Sequence, residues 1–130
     1  MLINRDPLLA RAMERVLRGK YDVVVATTAR MAIKALDGGS GRDLILCEVD
    51  LPNGIEREVF QVLSHSDPDL AKKILFLEGV ETSSVTRRFL ERLSPERCRS
   101  MPADVESLRI LVSDGLDEAS SRDRPTRPRR

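Results

Sequence analysis

Apolar positions along this chain alternate between short unbroken runs and helical spacing. Met1-Leu2-Ile3 is a short run that reads as a strand, and Asp6 followed by Pro7 supplies an N-cap and a proline for the first helical position. Leu8, Leu9, Ala12, Met13, Val16 and Leu17 then recur at helical spacing until Gly19. Residues 21–26 are rich in valine and predict a second strand. Thr28 caps a second helix with Ala29, Ala32, Ile33 and Leu36 on one face, and Gly38-Gly39-Ser40-Gly41 ends it. Residues 44–47 are continuously apolar, as in a central parallel strand covered on both faces. A third helix is predicted over 55–63 with Val59, Phe60 and Leu63 inward, and a fourth strand over 74–77. Val85, Phe89 and Leu93 mark a fourth helix, and residues 97–100 form a poorly patterned fifth strand. Asp104 caps a last helix with Val105, Leu108, Leu111 and Val112 inward.

Strands alternating with helices predict an α/β fold with a parallel sheet, and right-handed crossovers place helices on both faces. Five such units fit the flavodoxin-like order 2-1-3-4-5, whose ligand site lies at the carboxyl ends of the strands. The pattern alone does not select that order over others. The 130 residues suit one domain, and a hydrophobic fraction of 41% can supply its core. With no Trp, one Tyr and three Phe, an aliphatic core is expected.

No apolar run approaches the roughly 20 residues a membrane helix needs. Asn4, Arg5 and Asp6 interrupt the N-terminus before any secretory signal could form. Cys47 and Cys98 are far apart and lack metal-ligand spacing. A cytoplasmic location, reduced thiols and no metal are therefore expected. Residues 1–115 read as the folded domain. Residues 116–130, rich in Arg, Pro and Ser, read as a disordered basic tail.

The segment Asp43-Leu44-Ile45-Leu46-Cys47-Glu48-Val49-Asp50-Leu51-Pro52 resembles the phosphoacceptor strand of bacterial response-regulator receiver domains. In that family an aspartate stands at the position of Glu48, followed four residues on by a proline, as Pro52 follows here. The resemblance extends over residues 1 to about 113 and implies the five-stranded 2-1-3-4-5 receiver fold. It also implies that every functional position has changed. The two acids that hold magnesium fall on Asn4 and Arg5, within Ile3-Asn4-Arg5-Asp6-Pro7. The small hydroxyl residue ending the fourth strand falls on Glu78, and the lysine before a cis proline falls on Met101, followed by Pro102.

Each change works against phosphoryl transfer. Magnesium needs an octahedral shell of oxygen ligands, and Arg5 puts a permanent cation in its place. Met101 removes a charge-neutralising cation, and Glu78 repels an incoming phosphoryl group. The degenerate pocket is thus Asn4, Arg5, Glu48, Glu78 and Met101, with an ion pair expected from Arg5 to Glu48, Glu78 or both. No cofactor, metal or enzymatic activity is expected. Asp50 reads as a loop residue, His65 as a surface residue and Cys47 as an inert core thiol.

Arg87, Arg88, Arg92, Arg97 and Arg99 gather in the fourth helix and fifth strand. In receivers the face of helix four, strand five and helix five commonly binds partners or a second copy. The resemblance therefore implies a stand-alone pseudo-receiver, acting as a phosphorylation-independent protein-interaction module in bacterial signal transduction. Its partner would be a kinase, another receiver, a localisation factor or a second copy through that face. One alternative is phosphotransfer through an atypical acceptor at Glu48. Another is nucleic-acid binding through the tail, against which the lack of aromatic stacking residues weighs.

Overall fold

Leu2–Ile3 forms β1, Val25–Ala26 β2, Ile45–Glu48 β3, Ile74–Glu78 β4 and Cys98–Ser100 β5 in this computed structural model. It describes residues 1–37, 41–49, 54–79 and 82–122. Pro7–Leu17 is α1, Ala29–Leu36 α2, Ile55–Ser66 α3, Pro68–Ala71 α4, Ser84–Glu91 α5 and Val105–Arg122 α6. All strand pairs are parallel, in the order β2-β1-β3-β4-β5. The fold expected from the sequence is therefore the fold observed.

β3 and β4 lie in the middle, and Ile45, Leu46, Cys47 and Ile74 to Leu77 are almost wholly buried. Alternate residues face opposite sides of the sheet. Ile45, Cys47, Ile74 and Phe76 join one apolar cluster with Ala32, Leu36, Val59, Leu63 and Leu90, from α2, α3 and α5. Leu46, Leu75 and Leu77 join a second with Met13 and Leu17 of α1 and Leu108 and Val112 of α6. At Gly115 of α6 an added Cβ would lie 3.1 Å from a methyl of Leu44, so this helix sits close on the sheet because the residue has no side chain.

Several local expectations change. The second strand pairs only at Val25–Ala26, because β1 offers just two residues to pair with. Asp67 accepts a hydrogen bond from Leu70 N–H and starts the unpredicted α4, so the predicted fourth and last helices are α5 and α6. The last helix continues through residues 116–122, which had been expected in the tail. Leu116 and Ala119 extend the inward face of Val112, and Ala119 is buried. Residues 123–130 lie outside the described residues. The core is not purely aliphatic either. Phe60, Phe76 and Phe89 pack edge-to-face with ring centres 5.4–5.9 Å apart, concentrating all three phenylalanines between α3, β4 and α5.

Arg97 and Arg99 have structural work that the sequence did not reveal. The Arg97 guanidinium donates to the carbonyls of Ile74 and Ala71 and lies 5.5 Å from the Phe60 ring centre. It ties β5 to the turn between α4 and β4. Replacing Arg97 with Ala should destabilise the fold by about 2–3 kcal/mol, read by urea unfolding, since it strands these carbonyls and uncovers the ring. Arg97→Lys should recover under half of that loss, because one ammonium cannot reproduce a planar fork.

Candidate functional site

The buried runs of β3 and β4 end at the same edge of the sheet, and the first polar residues beyond them are Glu48 and Glu78, both half-buried. The end of β1 delivers Asn4, Arg5 and Asp6 to the same edge. Asn4 is buried at 3% exposure, its N–H bonded to Ala26 O. Its Oδ1 accepts from Asp6 N–H at 2.9 Å. The Asp6 carboxylate in turn accepts from the N–H groups of Leu8 and Leu9 and caps α1.

The expected ion pair is not formed. Arg5 is exposed, and among the described residues it makes no ion pair or hydrogen bond. Its charge still reaches Glu48 through space, lowering that carboxyl's pKa. Burial outweighs this and raises it, and Asp6 and Glu56 push in the same direction. Glu48 Oε2 is buried without a hydrogen-bond partner. A solvated guanidinium keeps its own hydration and side-chain freedom, which a single half-exposed carboxylate does not outweigh.

Glu78 does not belong to this group. Pleat alternation places it on the side of Ile74 and Phe76, and Glu48 on the side of Leu46. Its charge acts instead on Cys98, whose thiol is raised first by burial and then by Glu78. Met101 N–H bonds to Glu78 O, while the half-buried Met101 side chain packs with Leu77 and Leu108. Among the described residues no peptide bond is cis, so Met101–Pro102 is trans. The five pocket residues thus divide: Glu78 stands on the face of Ile74 and Phe76, whereas Glu48 and the Met101 side chain lie on the face of Leu46 and Leu77, with Asn4 and Arg5 at the end of β1.

One residue of the site escaped the sequence reading. Glu56, in the first turn of α3, is 1% exposed. Its Oε1 accepts from the Thr86 hydroxyl at 3.4 Å, and Thr86 accepts from Ser83, the N-cap of α5. Oε2 of Glu56 has no partner. Its spacing to Val59 and Leu63, the inward residues of α3, was the available signal. Cys47 is fully buried, with burial, Glu56 and Glu48 all pushing its thiol up, so it is inert as expected. His65 is exposed in the last turn of α3. Asp50 and Gly38 to Ser40 lie outside the described residues.

The magnesium of a receiver does not fit these donors. Asn4 Oδ1 and the Asp6 carboxylate are committed to backbone N–H groups, and a cation stands beside them. No group of three potential ligands capable of holding a metal occurs among the described residues.

No family model matches the chain, and no curated relative does. Solved structures do. The chain is similar to a CheY-like response-regulator receiver domain from Methanospirillum hungatei, at 16% identity and TM-score 0.72, over 93% of this chain and 94% of that one. It is also similar to a signal receiver domain from Vibrio parahaemolyticus, at 18% identity and TM-score 0.71, over 94% and 92%. An uncharacterized protein from Neptuniibacter caesariensis matches at 20% identity and TM-score 0.73, over 100% and 95%. The chain therefore has the receiver fold.

Because folding raises the pKa of Glu48 above its ordinary 4.5, the folded state holds its proton to higher pH than the unfolded chain. Stability conferred by that proton should therefore be lost as pH rises through the window above 4.5. Glu48→Gln should be more stable than wild type at neutral pH by about 2 °C in Tm, a small effect because the group is half solvated, and the gap should close near pH 4. Thr86→Val should cost about 1–3 kcal/mol in chemical unfolding by stranding the buried Glu56 carboxylate. Thr86→Ser should retain most of that stability.

Proposed function

We infer that this protein is a pseudo-receiver, a receiver fold that binds protein partners in signal transduction without phosphorylation chemistry of its own. The carrying observation is the carboxyl edge of β1 and β3. There an exposed arginine and a backbone-committed asparagine occupy the positions where the receiver resemblance puts metal-binding acids. Phosphoryl transfer draws its rate from positioned cations around the moving group. Arg5 is free in solvent, Met101 carries no charge, and the nearest fixed charges to Glu48 besides Arg5 are the carboxylates of Asp6 and Glu56. An acceptor surrounded by like charge repels a phosphodonor.

The partner surface is narrower than the five arginines expected. Arg97 is bound to backbone carbonyls, and Arg99 forms an ion pair with Glu118 that joins β5 to α6. Arg87 and Arg88 are exposed on α5 and Arg92 at its C-terminal cap, near Val85, which is 56% exposed. An acidic protein surface, on a kinase, another receiver or a localisation factor, complements this helix. Among the described residues no helix is long and apolar enough to cross a membrane.

Incubation with acetyl phosphate and magnesium followed by intact mass spectrometry tests the chemistry. No gain of a phosphoryl mass is expected, and Arg5→Asp alone should not restore one, because Asn4 and Met101 remain. A mass gain mapping to residues 43–58 would instead favour phosphotransfer through an atypical acceptor.

A further inference from the structure

The amino ends of the strands lie opposite the edge that carries Glu48, and a cavity of about 220 Å³ opens there. Leu2 of β1, Leu17 at the end of α1, Leu44 just ahead of β3, and Val112 and Leu116 of α6 form its apolar floor. The first four are almost wholly buried, so the floor is the core itself. The charged side chains that line the cavity are Asp22, ahead of β2, and Arg42 and Asp43, ahead of β3.

Among the described residues these three side chains make no ion pair or hydrogen bond, with each other or with any other group. Nε of Arg42 is buried without an acceptor. A guanidinium nitrogen that has given up water and gained no acceptor is left at a cost. A carboxylate is the group that fits it, because parallel N–H donors match two oxygens. Asp22 and Asp43 are both exposed and do not fill that role. The Met1 amino group adds little charge at neutral pH. It donates to Leu44 O at 2.8 Å, and burial first, then Arg42, push it down to about 6. Both aspartates also act on this amino group through space, which puts them at the same mouth as Arg42.

An anion alone would meet two carboxylates here, and a cation alone would meet the guanidinium. A small molecule with one charge of each sign and an apolar body answers all three groups and the floor. We propose that this cavity binds a free α-amino acid with an aliphatic side chain. Its carboxylate sits on Arg42, its ammonium faces Asp22 and Asp43, and its side chain rests on the leucine and valine floor. The cavity is smaller than the ~300–1,000 Å³ of sites that take drug-sized ligands, as a ligand of this size requires. So few ligand atoms limit the affinity, and the dissociation constant is of order 0.1–1 mM. The site is built from the amino ends of the strands, so it does not rest on the absence of phosphoryl chemistry at the other edge.

Isothermal titration of the full chain with the amino acid L-leucine at neutral pH tests this. Its companions are isocaproate, which lacks the ammonium, isoamylamine, which lacks the carboxylate, and glycine, which lacks the side chain. L-leucine should bind saturably, and each companion should bind at least ~10-fold more weakly, because a group of the site is then left unanswered. Arg42→Gln and Asp22→Asn/Asp43→Asn should each weaken L-leucine at least ~10-fold with unchanged circular dichroism. Arg5→Gln, at the other end of the strands, should bind it like wild type. The proposal is overturned if L-leucine shows no saturable binding up to about 10 mM. It is equally overturned if any companion matches L-leucine, if Arg42→Gln binds like wild type, or if Arg5→Gln abolishes binding.

Discussion

A strand covered on both faces has no place for a charge until it leaves the sheet, and the rest of this structure follows from that constraint. β3 and β4 are such strands, with apolar side chains packed alternately under α2, α3 and α5 and under α1 and α6. Moving an isolated carboxylate into that interior would cost far more than any one contact returns. Polar residues are therefore pushed to the strand ends, and the parallel arrangement collects Asn4, Glu48 and Glu78 on one edge.

The chemistry of that edge is decided by solvation more than by pairing. Arg5 keeps its water, and Glu48 keeps one buried oxygen without a donor. Glu56 lies deeper and is answered on one oxygen by Thr86, which joins the start of α3 to the start of α5. The edge that would handle phosphate in a receiver is here a strained electrostatic environment with a hydrogen-bond link into the helix bearing the free arginines. That arrangement supports the proposed recognition through helix surfaces rather than group transfer.

Periodicity located every strand and most helix cores, because amphipathic spacing is a local property. Thr28, Asp6 and Ser83 each cap a helix through a bond within three residues, equally local. The misreadings came from relations across the sheet. Arg97 looked like a surface cation because nothing near it in sequence shows that the carbonyls of Ala71 and Ile74 converge on it. Arg5 looked like a substitute for a metal because its position was legible and its preference for solvent was not. Glu56 sat on the inward face of α3 in plain view, yet a glutamate in a first helical turn is also what the helix dipole favours.

The order of apolar runs and helical stripes was enough to specify the layered parallel fold, and the resemblance around Glu48 supplied the expectation of an altered pocket. Which side of the pleat each acid occupies, which arginines are already engaged and which helices share a face were settled only on folding. Those properties depend on residues many positions apart being brought within hydrogen-bonding or Coulombic reach, and no local spacing encodes that distance.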